Sequence, residues 1–243
     1  MKEALFWGLV AGSSLILGGV MAVWLPIGDR LLGLIMAFGA GVLISAVAYE
    51  LIAEGYSTGG GTGGLAAGTA AGALTFYAGD AVIDRMGGAE RKAMGRAAGA
   101  GSGLAIVLGI VLDGIPESAV IGLGLLEGNG VSIAVIAAVF LSNMPEAIAA
   151  TSGLRSDGWS VGRVMSLWAL VTLVSGIASL LGYAVFDSAP PGALAFVLGF
   201  AGGAILTMLA DTMIPEAYEH GGKLVGLVTT LGFGLSFLLT TLE

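Results

Sequence analysis

Long apolar runs fill most of this chain, and short polar or glycine-rich stretches separate them. Each run is about 20 residues long, which is the length that an α-helix needs to cross the hydrocarbon core of a bilayer. The pattern predicts an all-α membrane protein with a single transmembrane domain over residues 1–243. Eight spans are predicted, at 5–26, 31–53, 65–83, 104–126, 131–152, 161–186, 192–218 and 223–242.

The composition fits a lipid environment. Hydrophobic residues make up 56% of the 243 positions and charged residues only 11%, whereas a soluble domain carries about 25% charged residues. Glycine occurs 43 times without a collagen-like period, and small residues allow transmembrane helices to pack closely. The absence of cysteine excludes disulfides and thiolate metal sites.

The basic residues lie almost entirely in alternate connections. Loops rich in Lys and Arg face the cytoplasm, so both termini are expected outside the cytoplasm. Only Lys2 falls on the other side. The connections after spans 1, 3, 5 and 7 hold Arg30, Arg85, Arg91, Lys92, Arg96, Arg155, Arg163 and Lys223.

The opposite side of the predicted bundle is acidic. An acidic rim concentrates cations near an opening, although the absence of Lys and Arg explains the same pattern without any function. The residues on this side are Glu3, Glu54, Glu127, Asp187 and Glu243.

Two of the spans carry a proline beside a carboxylate well inside the membrane. The fourth span contains Asp113 and Glu117, and the fifth contains Glu146. An uncompensated carboxylate at this depth costs about 2.5–3.5 kcal/mol on the insertion scale. No Lys or Arg lies deep in the spans to neutralise these groups. A proton or a metal ion is therefore expected as the counter-charge.

The spacing brings these polar side chains together in pairs. Asp113 and Glu117 are four residues apart, and Asn143 and Glu146 are three apart, so each pair shares a helix face. Ser142 adds a hydroxyl. Each proline also frees the backbone carbonyl four residues before it. Carboxylate, amide, hydroxyl and carbonyl oxygens together form a ligand set suited to a divalent cation.

Further acidic residues in spans 2, 3 and 7 suggest a path from this centre to the surfaces. Glu50, Asp80 and Asp84 form a second tier, in which Asp84 is better explained as an ordinary interfacial residue. Glu50, Asp211 and Glu216 are included among the predicted metal contacts. Glu216 follows a proline near the end of its span, where snorkelling to water is an equally good explanation.

Three other features leave alternatives open. The connection at 84–103 is either a disordered loop or an amphipathic surface segment. The glycine run at 59–64 indicates a flexible hinge, because a phosphate-binding loop would end in Lys-Ser/Thr. The single histidine, His220, is either incidental or takes part in metal release.

Spans 2 and 7 are similar to each other. Because odd and even spans cross in opposite directions, the two would be inverted copies. This predicts inverted repeats, spans 1–3 and 6–8, flanking the pair of spans 4 and 5, as in many transporters. The matched residues are Phe38 with Phe200, Gly41 with Gly203, Ser45 with Thr207 and Glu54 with Glu216.

The eight spans, the Pro-Glu pairs on spans 4 and 5 and the Ile-Pro-Glu-Ala on span 7 resemble the ZIP (Zrt/Irt-like) metal transporters. The chain is most similar to their prokaryotic GufA-type branch, over essentially its whole length. The resemblance implies a scaffold of spans 2, 3, 7 and 8 and a transport unit of spans 1, 4, 5 and 6. It also implies elevator-type sliding, homodimers through the scaffold and a prokaryotic plasma membrane.

The metal-site motifs depart from the family pattern. Where the family has His-Asn-x-Pro-Glu-Gly on span 4, this chain has Asp113 and Gly114 in place of the first two residues. Thr172 stands where the family often has a glutamate on span 6, and Asp211 and Thr212 replace a His-Glu pair on span 7. We expect one metal ion, or a weaker second one. An all-oxygen ligand set shifts the preference from zinc toward harder ions.

The sequence therefore predicts a transporter whose substrate is a divalent cation such as Zn²⁺, Mn²⁺ or Fe²⁺. The alternatives are a proton-linked carrier of a non-metal solute and a transport-inactive metal sensor. No nucleophile–base arrangement indicates an enzyme, and no nucleic-acid partner is expected. The predicted metal-contacting residues are Asp113, Glu117, Asn143, Glu146, Ser142, Asp211, Glu50 and Glu216.

Overall fold

The structure, a computed structural model, describes residues 1–58, 62–85, 102–127 and 132–242. Most of the predicted connection at 84–103 and half of the glycine run at 59–64 lie outside the described residues. Every regular element among the described residues is helical, and none of these residues lies in a strand. The predicted all-α class is confirmed.

Ten α-helices follow one another in the described part of the chain, with π-helical segments after the second and eighth. The π segments are Val47–Ala53 and Leu209–Met213, and single 3₁₀ turns lie at Leu125–Glu127 and Gly222–Leu224. The α-helices are α1 Lys2–Trp24, α2 Asp29–Ala46, α3 Glu54–Thr58, α4 Thr62–Arg85, α5 Ser102–Gly124, α6 Ile133–Ser156, α7 Val161–Phe186, α8 Pro191–Met208, α9 Ile214–Gly221 and α10 Val225–Thr240.

Five helical stretches of the described chain are long and apolar enough to cross a membrane, which supports an integral membrane protein. α4 does not meet the same criterion. In α4 the Gly, Ala and Thr content lowers the hydropathy, and Asp80, Asp84 and Arg85 add charge. The five stretches are Lys2–Trp24, Asp29–Thr58, Ile133–Ser156, Val161–Phe186 and Pro191–Thr240.

The described residues form seven uninterrupted helical stretches, one fewer than the eight separate spans that the sequence predicts. The seventh and eighth predicted spans are joined because only the 3₁₀ turn Gly222–Leu224 separates α9 from α10. Gly222 has a φ of 64°, a conformation that a residue without a Cβ adopts readily.

The chain changes direction at this turn. Gly221, at the end of α9, lies against Gly33 near the start of α2. Thr240, at the end of α10, donates a 2.9 Å hydrogen bond to Glu50, which lies beyond the other end of α2. α10 therefore runs parallel to α2, while α8 begins against α3 and runs the opposite way.

Two helix pairs repeat the same glycine-mediated packing. A Cβ on Gly41 of α2 would overlap the carbonyl oxygen of Thr229 on α10, and a Cβ on Gly203 of α8 would overlap that of Thr69 on α4. Only glycine permits backbones to approach this closely. The α2–α10 and α4–α8 contacts therefore correspond to each other position by position.

A second pair of contacts follows the same correspondence. Gly232 of α10 lies against the carbonyl of Phe38 on α2, and Gly72 of α4 lies against the carbonyl of Phe200 on α8. α2 and α8 are each 18 residues long, and a π-helical segment follows each of them directly. The similarity of spans 2 and 7 thus extends to their local geometry.

The helices pack in two groups. α1 packs on α6 and α7, and α7 on α5, whereas α2 packs on α10 and α4 on α8. Within the first group, the Thr172 hydroxyl donates 2.9 Å to the carbonyl of Gly12, and the Trp168 indole donates 2.8 Å to Thr151. The two groups meet mainly where α6 lies against α2 and α5 against α8.

Candidate functional site

α5 and α6 place the predicted polar residues between the two helix groups. Pro116 and Pro145 lie inside these helices, and both helices continue through them. The carbonyl of Leu141, which Pro145 deprives of its helical partner, faces Gly39 of α2. Because Gly39 has no side chain, α2 approaches α6 closely at this point. The freed carbonyl is thus used in packing between the two groups.

Carboxylates from three different helices line one cleft between the groups. Asp113 comes from α5, Glu146 from α6 and Glu216 from α9, and the empty volume is about 560 Å³. We call this space the carboxylate cleft. The remaining residues around it are Met36, Gly109, Ile110, Ala149, Ala150, Thr212 and Met213.

Acidic and small residues dominate the wall of the carboxylate cleft, and no Lys, Arg or His is among the described residues that line it. Asp113, Glu146 and Glu216 are each half-buried, so their charges lie partly outside bulk water. An electronegative, partly desolvated cleft attracts cations more strongly than the same charges do at a flat surface. The arrangement is chemically suited to a cation with oxygen ligands.

Glu117 and Ser142 form a second polar feature, one turn after Asp113 on α5 and one turn before Glu146 on α6. Glu117 is only 1% exposed, and Ser142 Oγ lies 3.2 and 3.3 Å from its two carboxylate oxygens. The same hydroxyl is 3.1 Å from the carbonyl of Val139. A hydroxyl carries a single hydrogen, so these acceptors compete for it. We call Glu117 and Ser142 the buried pair.

The surroundings of the buried pair are apolar. Glu117 borders a small pocket with an empty volume of about 240 Å³, and every other residue in its wall is hydrophobic. The pocket lies on the side of the buried pair away from the carboxylate cleft, as the order of residues along α5 and α6 shows. Its other residues are Leu43, Ala46, Val47, Leu51, Val120, Val135, Ala138, Val139 and Ile205.

Asn143 is buried beside Ser142 on α6. It is 2% exposed, and its Nδ2 has no hydrogen-bond partner in the part of the chain that the structure describes. An unsatisfied buried amide costs about 1–3 kcal/mol. The Asn143 amide is therefore a polar group that a ligand could satisfy.

The other two predicted contacts lie apart from the cleft. Glu50, in the π-helical segment after α2, accepts a hydrogen bond from Thr240 at the end of α10. The ring of its neighbour Tyr49 packs against Phe237. Asp211 is exposed and is not among the residues that line the carboxylate cleft, although its neighbour Thr212 is. The structure thus brings together three of the eight predicted residues in the cleft and two in the buried pair.

Several cleft-lining residues were not predicted as site residues, and Thr212 and Met36 show why. Thr212 lies four residues before Glu216, so a search for polar residues at helical spacing would have found it. Met36 comes from α2, and an apolar residue within an apolar span gives no sequence signal.

Lining one cleft is not the same as forming a compact ligand cluster. The described residues contain no group of three or more His, Cys, Asp or Glu side chains close enough together to hold a metal ion. Binding a metal in the carboxylate cleft would therefore require its side chains to converge around the ion.

No protein-family model matches this chain, and no curated protein matches it either. The resemblance to the ZIP transporters therefore rests on the sequence motifs alone.

Proposed function

We propose that this protein carries divalent metal cations across a membrane in the manner of the ZIP transporters. The observation that supports the proposal most strongly is the carboxylate cleft, in which Asp113, Glu146 and Glu216 from three helices face one space. These three acids lie among helices apolar enough for a bilayer, where charged side chains are costly and mark ion paths. The cation is the substrate, and the three carboxylates would supply oxygen ligands to it.

The donor chemistry favours hard divalent ions. Carboxylate and hydroxyl oxygens suit Mn²⁺ and Mg²⁺, whereas zinc usually recruits His or Cys. The thioethers of Met36 and Met213 are the soft donors in the described wall of the cleft, and they are outnumbered by its three carboxylates. We therefore propose transport of Mn²⁺ or Fe²⁺ at least as effectively as Zn²⁺.

The two helix groups suggest how the ion is carried. We propose that α1, α5, α6 and α7 move as a unit against α2, α4, α8 and α10, which gives elevator-type alternating access. The division of the helix contacts into these two groups supports the proposal. In the state described, the buried pair and its apolar pocket separate the carboxylate cleft from the opposite end of the bundle.

We further propose that the chain crosses the membrane eight times with inverted repeats. The reversal at Gly222 supports separate seventh and eighth crossings. The matched α2–α10 and α4–α8 contacts support repeats formed by α1–α4 and α7–α10. Both termini would lie outside the cytoplasm of a prokaryotic cell, and the protein would form homodimers through the second helix group.

Metal flux into proteoliposomes tests this function. We expect the wild-type chain to admit Mn²⁺, and Asp113→Asn and Glu146→Gln each to reduce the flux at least about tenfold, because each removes a charged ligand worth at least about 1.4 kcal/mol. In a competition between equal concentrations of Zn²⁺ and Mn²⁺, manganese should enter at least as fast as zinc.

Asp187→Asn is a matched control. Asp187 is an exposed carboxylate at the end of α7, remote from the carboxylate cleft. The metal flux of the Asp187→Asn variant should therefore remain at the wild-type level. Equal losses in Asp187→Asn and Asp113→Asn would contradict a specific cation site. Metal binding without any flux would indicate a metal sensor instead.

A proton-linked carrier of a non-metal solute is the second candidate. Two observations favour it. The predicted metal-contacting residues are divided between the carboxylate cleft and the buried pair, and the described residues contain no compact cluster of metal ligands. A proton relay does not require convergent ligands, so Asp113→Asn should leave such a carrier partly active. Solute-dependent proton flux that is insensitive to metal would support this alternative.

A further inference from the structure

The turn between α6 and α7 is held rigidly at both of its ends. The Trp159 N–H donates to the carbonyl of Leu154, and the Gly158 N–H donates to that of Arg155. These two bonds form a Schellman motif, in which Gly158 has the positive φ, 85°, that the motif requires. The Ser160 hydroxyl then caps the start of α7. The position of Trp159 is therefore fixed by the backbone.

Two arginines are anchored on Trp159 from opposite sides of this turn. Arg155 Nη1 donates a 2.6 Å hydrogen bond to the Trp159 carbonyl. The Arg163 guanidinium lies 3.6 Å from the centroid of the Trp159 ring, in a cation–π contact. Both arginine side chains are exposed, whereas Trp159 is half-buried. We call these three residues the Arg-Trp-Arg turn.

The turn lies where two candidate membrane-spanning helices end, which is where a membrane boundary is expected. It connects two helices that are each long and apolar enough to cross a bilayer, Ile133–Ser156 and Val161–Phe186. Tryptophan is enriched at this depth, and basic residues near it meet the headgroups of the cytoplasmic leaflet. Asp157 lies in the same turn, which leaves the segment with a net charge of +1 from two arginines and one aspartate.

We propose that the Arg-Trp-Arg turn binds the phosphate of an anionic phospholipid headgroup in the leaflet facing the basic end of the protein. Guanidinium groups bind phosphate through paired N–H donors, and a fixed pair loses less conformational entropy on binding than two free side chains. The indole positions the pair at the depth where lipid phosphates lie. The site is separate from the carboxylate cleft and does not depend on which solute is carried.

Native mass spectrometry of the full chain in detergent, titrated with phosphatidylglycerol or phosphatidylcholine of identical acyl chains, tests the proposal. We expect the wild type to bind the first phosphatidylglycerol more tightly than phosphatidylcholine. Arg163→Gln should reduce this preference about fivefold, and the double variant Arg155→Gln/Arg163→Gln should reduce it about 25-fold. Arg163→Gln keeps the Arg155 hydrogen bond that supports the turn, so its effect is separable from misfolding.

The double variant Arg30→Gln/Arg85→Gln is the matched control. It removes the same total charge from two exposed arginines for which the structure describes no contact with a tryptophan. This control should change the preference less than twofold. Equal losses in both double variants would mean diffuse electrostatic attraction and would overturn the proposal. Displacement of phosphatidylglycerol by an equal concentration of soluble glycerol phosphate would also overturn it, because the ligand would then be free phosphate.

Discussion

At the scale of single residues, the buried pair shows what membrane burial demands of a carboxylate. Glu117 is nearly inaccessible, and the Ser142 hydroxyl is the hydrogen-bond donor described for it. A buried acid loses its hydration, so the hydrogen bond that replaces water contributes more there than at a surface. The pair therefore fixes the separation of α5 and α6 at the depth where the carboxylate cleft ends.

Removal of the hydroxyl should destabilise the protein. We expect Ser142→Ala to lower the free energy of unfolding by about 1–3 kcal/mol, because the carboxylate stays buried without its partner. The shift in thermal unfolding in detergent measures the effect. Ser152→Ala is the control on the same helix, where the hydroxyl bonds only the carbonyl of Ile148. Equal shifts in the two variants would mean that the pair has no special role.

A second residue-scale prediction concerns Gly158. Alanine at its φ of 85° is strained, so Gly158→Ala should lower stability by about 1 kcal/mol. At Gly162, in the first turn of α7, an added Cβ would meet nothing within 4 Å, so Gly162→Ala should leave stability unchanged or raise it slightly. Thermal unfolding of the two variants side by side gives the comparison, and a loss confined to Gly162→Ala would contradict the Schellman assignment.

The candidate site could be predicted only in part from residue spacing. The i,i+4 rule placed Asp113 and Glu117 on one face of α5, but the structure has Asp113 in the open cleft and Glu117 against an apolar pocket. One helical turn is about 5.4 Å long, and within that distance the neighbouring helices close around the chain. Spacing gives the face of a helix, whereas the depth at which other helices exclude water depends on the tertiary packing.

At the scale of elements, glycine sets how closely the helices approach. The matched contacts of Gly41 and Gly203 allow two parallel helix pairs to share the same geometry. The sequence similarity of spans 2 and 7 pointed to this relation. The π-helical segments that follow α2 and α8 were not predicted, because a π turn changes the hydrogen-bond register without changing the apolar pattern.

Substitution of these glycines should have opposite effects at contact and open positions. We expect Gly41→Ala to destabilise the protein by about 1–3 kcal/mol, because the new methyl overlaps the Thr229 carbonyl. At Gly234 on α10 an added Cβ would meet no atom of another helix within 4 Å, so Gly234→Ala should stabilise the protein by up to about 1 kcal/mol. Thermal unfolding in detergent distinguishes the expected loss of stability in Gly41→Ala from the expected gain in Gly234→Ala. Stabilisation by both substitutions would exclude a close α2–α10 contact.

The apolar pattern predicts the position of most helices well, but it does not predict that the seventh and eighth spans are joined. The predicted spans at 161–186 and 131–152 agree with α7 and α6 to within a few residues. The seventh and eighth spans are joined in the structure, since the turn at Gly222 reverses the chain in three residues without a non-helical loop. Hydropathy does not distinguish a tight helical reversal from a longer connection.

At the scale of the whole molecule, the helix contacts gather the basic residues at one end. Arg155 and Arg163 flank the α6–α7 turn, and Lys223 lies in the turn after α9, which packs against the start of α2 close to Arg30. Thr240 and Asp187 lie at the opposite end, where α10 and α7 finish. The charge asymmetry predicted from the connections is thus a property of the folded described chain. The carboxylate cleft lies toward the basic end.

The absence of cysteine from the sequence makes the orientation directly measurable. Ser156→Cys and Thr241→Cys each introduce one thiol at an exposed position, the first at the basic end and the second at the other end. Because basic ends remain in the cytoplasm, we expect a membrane-impermeant maleimide to label Thr241→Cys in intact cells. Ser156→Cys should react only after permeabilisation. Labelling in the reverse order would place the carboxylate cleft on the outer side, so that the state described would receive its cation from outside the cell.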